Sequence, residues 1–399
     1  MERYKDFFFK FVIIYYWLLN YFIGGSDNEI ERFSPMYFMF TLPIVLYIVV
    51  NSQYIFTRGY NKKNLPLVFL VLFTSVVSVL RFDLSTFISV NLLLLTIVVI
   101  INSKVTIPFS FINKLFLFSV FGSIISYHLG VNEYGYFPKF GSVDLMIYGD
   151  VGWRISLFPL LPESAMFSLI VIINNFFYNK NKISRLFYFL LAGYFLVFGG
   201  LRTSIILFAF FVLFILCTRF FKFGYRAFYI NFNSTLIVLF ILALSFQTII
   251  LYFNQFDNEF VNQLLFKSSQ GISSKEQLYN TISRVWIWEK HIDIFMTNPL
   301  FGVGTYEFQD YVIDSNLAYQ KTTGSESFFT NLLARIGVSA FLLFSFLYKA
   351  QRAALLDKNK LVYFLVLILS VIVISYGSFF VPYNFLFLLY IGLLNIKLK

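Results

Sequence analysis

The chain has 399 residues, of which 59% are hydrophobic, 22% aromatic and only 13% charged, where soluble domains carry roughly 25% charged residues. That composition excludes an ordinary soluble enzyme and describes a membrane protein. One cysteine, Cys217, and two histidines exclude an internal disulfide and any Cys/His zinc spacing; neither metal nor cofactor is expected.

In chain order, apolar runs close to the length of a membrane-crossing helix recur throughout. They number about 12: 7–23, 35–56, 66–80, 86–101, 109–128, 163–178, 186–198, 202–218, 233–252, 327–348, 361–376 and 383–396. The first run has basic residues before it and no small-residue cleavage site, so it reads as a retained helix. The expected fold is all-α, a single integral membrane domain over residues 1–399. Two larger extracytoplasmic loops are expected, at about 130–162 and 253–326.

The formal net charge of +11 invites a nucleic-acid reading, but its distribution argues otherwise. Alternate loops hold Arg58, Lys62 and Lys63; Lys104; Lys180, Lys182 and Arg185; Arg219, Lys222 and Arg226; Lys349, Arg352, Lys358 and Lys360; and Lys397 with Lys399. The only acids beside them are Glu2, Asp6 and Asp357. The positive-inside rule places these loops and both termini in the cytoplasm. The basic excess is a topogenic signal, and no nucleic acid is expected. Short inner loops leave no room for a cytoplasmic nucleotide site, so the chemistry faces outward.

Four polar stretches interrupt the apolar runs. "WRISLFPLLPESAMF" (Trp153 to Phe167) enters the sixth span. Pro162 and Glu163 suit a first helical turn, and Arg154 suits a headgroup anchor. "GGLRTS" (Gly199 to Ser204) joins the seventh and eighth spans. Arg202, beside the free N–H groups of a helix start, makes an anion site at headgroup depth; the plainer alternative is a capped turn with a snorkelling arginine.

"TISRVWIWEKHIDIFMTNPLFGVGTYEF" (Thr281 to Phe308) concentrates charge, tryptophan and glycine. Read as a helix, it puts Val285, Trp288, Ile292, Phe295 and Met296 on one apolar face, with Arg284 and His291 at its edge. Pro299 and Gly302 end it. Such a helix lies on the outer membrane surface, with Arg284 among lipid phosphates. "TTGSESFFTNLLARIGV" (Thr322 to Val338) opens the tenth span. Thr323 and Glu326 have capping-box spacing, the plain reading of Glu326; the alternative is a carboxylate facing a site. Arg335 falls inside the span, where a charge is costly and by default functional.

These segments, in this order, resemble the bacterial O-antigen polymerase (Wzy) and O-antigen ligase superfamily. The resemblance rests on "GGLRTS", "SRVWIWEKHIDIFMTNPLFGVG", "SESFFTNLLARIGV" and "PES". It implies a glycan donor on undecaprenyl diphosphate at the outer side of the bacterial cytoplasmic membrane, and with polymerases a Wzz-like chain-length regulator as partner. Polymerases transfer the growing glycan to the next lipid-linked repeat unit; ligases transfer it to lipid A–core. Ligases typically have a His-Asn pair where this chain has Glu326 and Ser327, which favours a polymerase. On that reading, Arg202 and Arg284 hold the diphosphate, followed by Arg154 and Arg335. Glu326 is the first candidate for the base and His291 the second, and Glu163 is a further candidate. A transporter of lipid-linked sugar predicts mid-membrane polar residues and an internal repeat, neither of which is strong here.

Overall fold

The computed structural model describes residues 2–23, 35–56, 65–105, 107–132, 134–137, 155–159, 161–199, 202–220, 288, 290–304, 328–356, 359–375 and 384–394. Among these the chain is all-helical, with 13 α-helices. They are α1 (Glu2–Ile23), α2 (Pro35–Val50), α3 (Gln53–Phe56), α4 (Leu65–Leu80), α5 (Leu84–Ser103), α6 (Phe109–His128) and α7 (Leu161–Tyr178). There follow α8 (Lys182–Phe198), α9 (Arg202–Phe220), α10 (Phe328–Ile336), α11 (Ala340–Leu356), α12 (Lys360–Ser375) and α13 (Phe385–Leu394). A helical segment at 290–297 precedes α10. Three described stretches are long and apolar enough to cross a membrane: Thr86–Ser103, Phe109–His128 and Phe328–Ala350. Five shorter apolar helices accompany them. This is the helix inventory of a polytopic membrane protein.

Each expected span except 233–252, which lies outside the described residues, falls on a helix, but two are broken. The run 35–56 stops at Asn51, whose Nδ2 donates to the Tyr47 carbonyl at 2.8 Å. A side chain bonding four residues back competes with the helix ladder. The run 327–348 breaks at Gly337, which has φ +66° and lies in a 3-10 turn between α10 and α11.

The centre holds α13 and the described side chains of α12 from Leu361 to Leu369, all buried, together with most of α5 and α7. Helices that are apolar on every side belong in such an interior. The outer helices still expose large apolar residues, such as Phe69, Leu72 and Val76 on α4 and Phe118, Phe121 and Ile125 on α6. Contiguous apolar exteriors mark a surface covered by something other than water.

Polar stitches hold helices together where hydrophobicity gives no preference between protein and lipid. Asn113 on α6 and Asn175 on α7 exchange amide bonds of 3.1 and 2.7 Å. Thr74 on α4 donates to Asn91 on α5 at 2.6 Å, and Asn91 Nδ2 donates to Ser75 at 2.9 Å. Trp17 on α1 donates to Ser119 on α6 at 2.8 Å.

Helix α5, about 30 Å long at 1.5 Å per residue, separates two polar ends. At its Ser103 end, Lys5 donates to the Ser103 carbonyl and Asn102 to that of Tyr54. The C-terminal turn of α13 reaches the same end, with Gly392 against Phe9 and Ile107. At its Asp83 end it meets residues 302–304 and Arg335. The start of α1 and the 290–304 segment therefore sit at opposite ends of the bundle.

The Asn113–Asn175 exchange predicts non-additive mutants. Asn175→Leu should cost about 1–3 kcal/mol, because it strands the Asn113 amide in an apolar interior. Asn113→Leu with Asn175→Leu should recover part of that loss, as read from thermal unfolding in detergent.

Candidate functional site

The site grows from two backbone turns that fit into each other. The 290–297 helix ends at Asn298 and Pro299, as the Pro299 and Gly302 stop signals predict. The Asn298 carbonyl accepts from Gly302 N at 2.8 Å. Val303 N then donates to the Ala334 carbonyl of α10 at 2.9 Å, and Val338 N donates to the Pro299 carbonyl at 2.8 Å. Both contact points are glycines. A Cβ on Gly302 would strike the backbone of Arg335 and Ile336, and one on Gly337 would strike the Pro299 and Leu300 carbonyls. Both have φ +66°, a left-handed conformation that glycine adopts without steric cost.

This fit fixes the 290–297 helix on α10. His291 is 1% exposed, and its Nδ1 lies 2.8 Å from Thr330 Oγ1. Ile294, Val303 and Ala334 form a small apolar cluster in the same place. His291, expected at the edge of the apolar face, is enclosed by protein instead. The buried face of the helix carries His291 and Ile294, while Met296 is 66% exposed. The apolar periodicity indicates the face suited to lipid, but packing against α10 selects the face suited to protein. Lys290 and Asp293 pair at 3.4 Å on the exposed side, where such pairs contribute little.

The α4–α5 turn meets the same segment. Arg81 Nη1 donates to the Gly302 carbonyl. Phe82 follows with φ +55°, and Asp83 caps α5: its Oδ1 accepts from Thr86 N at 2.9 Å and its Oδ2 from Thr86 Oγ1 at 2.6 Å. Gly304, at φ +82°, passes so close to Asp83 that a side chain there would collide with the carboxylate. Arg335, in the last turn of α10, donates from Nη2 to Ser89 Oγ on α5 at 2.9 Å. Arg81, Asp83, Thr86 and Arg335 thus line one narrow cleft, together with Phe73, Thr74, Val77, Ser78, Phe301, Gly304 and Ile336. Among the described residues the cleft holds two guanidinium groups and one carboxylate, at the end of the bundle opposite the start of α1.

Glu163 occupies a separate place. It is buried in the first turn of α7, and Asn384 Nδ2, ahead of α13, donates to its Oε1 at 2.8 Å. A simple exposed helix start does not describe it. Its neighbourhood is polar: Leu157 N donates to Ser164 Oγ at 2.9 Å and Asn132 Nδ2 to the Ser156 carbonyl at 3.2 Å. Helix α9 starts at Arg202, as expected, and Ser204 donates to Met166 Sδ of α7 at 3.6 Å. Arg154, Arg284, Glu326 and the side chain of Arg202 lie outside the described residues.

Residues 187–345 match the family model described as O-Antigen ligase (Wzy_C). The match spans about two fifths of the 399 residues. That family covers both O-antigen polymerases and ligases, membrane enzymes that transfer glycans from lipid-linked donors in polysaccharide assembly. Comparison with curated proteins and with solved structures gave no match. The matched O-antigen ligase segment contains Arg202, Arg284, His291, Glu326 and Arg335, while Arg81, Asp83, Arg154 and Glu163 precede it.

Sequence reasoning missed Arg81, Asp83, Thr86 and Ser89. A signal was present, since Asp83 stands three residues before Thr86 at the head of an apolar run, the arrangement of an N-cap. Nothing local tells that this cap faces a glycine turn more than 200 residues away.

The interlock makes Gly302→Ala and Gly130→Ala an informative pair. Both glycines have positive φ, but Gly130 faces open space. Gly130→Ala should cost about 1 kcal/mol from backbone strain alone. Gly302→Ala should cost several times more or abolish folded protein, measured by thermal unfolding and yield.

Proposed function

We propose that the protein is a polysaccharide polymerase of about 12 membrane spans, with both termini cytoplasmic. It transfers a growing glycan from undecaprenyl diphosphate to the next lipid-linked repeat unit, on the outer side of the bacterial cytoplasmic membrane. The observation that carries the reading is the His291–Thr330 contact. It draws the tryptophan-rich helix and the segment following Glu326 together, at the end of the bundle opposite the start of α1. Those are the two stretches in which sequence reasoning placed the acid–base chemistry. The ligase alternative requires its histidine at the position that Glu326 and Ser327 occupy.

In the proposed step, a hydroxyl oxygen of the acceptor sugar attacks the anomeric carbon of the donor. The new C–O bond forms as the bond from that carbon to the diphosphate oxygen breaks. Undecaprenyl diphosphate leaves with the electron pair, and direct attack inverts the anomeric centre. The hydroxyl proton passes to a base, assigned to Glu326, with His291 as second choice. Arg202 and Arg284 stabilise the charge growing on the leaving diphosphate, as fixed cations do where charge develops, and Arg154 stands as a further anchor. Diphosphate is already a good leaving group, so the scheme needs no metal. A membrane lipid environment and a Wzz-like chain-length regulator complete the expected partners.

A deletion strain tests the reading. A polymerase predicts glycan capped at a single repeat; a ligase predicts core-only glycan with lipid-linked polymer accumulating, which would overturn the proposal. Arg202→Ala and Arg284→Ala should each reduce polymer by 100-fold or more (about 2.7 kcal/mol of lost transition-state stabilisation) at unchanged protein level. The Lys variants should recover only part, because a point charge replaces a fork. Glu326→Gln separates base from helix cap. Gln also suits a capping box, so loss of turnover with unchanged thermal stability supports the base, and near-normal turnover moves the role to His291.

A further inference from the structure

The turn that follows the 290–297 helix packs far down the side of α4. Phe301 stacks on Phe73, with ring centroids 5.8 Å apart and planes at 6°. Phe73 stands seven residues before Leu80, the last residue of α4, which is about 10 Å along the helix axis. The whole of α4 has 16 residues, or about 24 Å, against a hydrocarbon core of about 30 Å. A span that short has no length to spare above the membrane, so Phe73 lies inside the hydrocarbon and Phe301 lies beside it.

The surface of the turn suits that depth. Leu300 is 61% exposed, and Phe301 is exposed beside it. Both continue the exposed apolar faces of Leu72 and Val76 on α4 and of Val338 and Phe341 at the start of α11. No charged residue occurs between Asp293 and Glu307. Non-helical backbone reaches hydrocarbon depth only where its polar groups are paired within the protein, and most of this turn meets that condition. Asn298 N donates to the Phe295 carbonyl at 3.2 Å, Gly302 N to the Asn298 carbonyl at 2.8 Å and Val303 N to the Ala334 carbonyl at 2.9 Å. The Pro299 and Gly302 carbonyls accept from Val338 N and from Arg81, and proline brings no N–H of its own. Thr297 Oγ1 donates to the Ile294 carbonyl at 2.6 Å, and Asn298 Oδ1 accepts from Phe301 N at 3.4 Å.

We infer that the Asn298–Phe301 turn is a re-entrant anchor: Leu300 and Phe301 project into the hydrocarbon of the leaflet at the Asp83 end of α5, against the acyl chains of bulk phospholipid. That leaflet is the outer one in the topology proposed above, but the depth of the turn depends neither on that topology nor on the reaction catalysed. The anchor holds the 290–297 helix, and His291 with it, at a fixed height on the membrane.

Spin labelling of the full chain in phosphatidylcholine nanodiscs tests this, with Cys217→Ser as background. Nitroxides are attached at Leu300→Cys, at Leu72→Cys as the lipid-facing reference and at Lys290→Cys, on the exposed ion-paired side of the 290–297 helix, as the aqueous reference. The quantity read is accessibility to oxygen divided by accessibility to a water-soluble nickel chelate. At Leu300 it should lie within about two-fold of Leu72 and at least about five-fold above Lys290, as for a label inside the hydrocarbon core. A ratio at Leu300 equal to that at Lys290 overturns the anchor. Low accessibility to both reagents means that protein covers the turn and also overturns it; dipolar broadening between labels then identifies a second copy as the cover, and its absence another part of this chain. If Leu300→Cys does not fold, Val338→Cys carries the test with the same expected ratios, because Val338 N is bonded to the Pro299 carbonyl.

Discussion

The arrangement depends on one backbone-to-backbone fit, between the turn at Pro299–Val303 and the break at Ala334–Val338. Peptide groups in an apolar interior must be paired, and here each turn pairs the other through Val303 with Ala334 and Val338 with Pro299. The approach is close enough that only hydrogen fits at positions 302 and 337. From this fit follow the contact of His291 with Thr330, the carbonyl that Arg81 grips, and the emergence of Arg335 beside Ser89 on α5. A continuous tenth helix would leave the Pro299 and Leu300 carbonyls no place to sit.

The second constraint is the membrane itself. A transfer from a lipid diphosphate needs cations, a proton acceptor and water together at headgroup depth. A protein whose surface is mostly apolar can gather them only at the ends of its helices. At the Asp83 end of α5 the described residues bring Arg81, Asp83 and Arg335 together, while interior polar groups bond one another, as Asn113 does with Asn175. Those bonds fix helix partners where lipid and protein are equally apolar. The buried Glu163–Asn384 pair, joining the starts of α7 and α13, does the same where two helices begin.

Much of this was legible in the sequence, for physical reasons that differ by element. Helix positions followed from runs of apolar residues, because the cost of exposing backbone in lipid leaves little choice of structure. The stop at Pro299 and the start at Arg202 followed from local chemistry. The breaks at Asn51 and Gly337 did not, since hydropathy averages over them. The burial of His291 was also hidden: the apolar periodicity puts it at the edge of a face, and only its contact with Thr330 on α10 encloses it. Arg81 drew no reading at all, because its partner, the Gly302 carbonyl, carries no side-chain signature.

The central claim is that this chain extends a lipid-linked glycan. The most direct measurement gives the purified protein one substrate, undecaprenyl-diphosphate-linked repeat unit, and resolves the products by length. The account predicts a ladder of two, three and more repeats with release of undecaprenyl diphosphate and no lipid A–core present. Repeat units that stay single until lipid A–core is added, and then transfer to it, would contradict it.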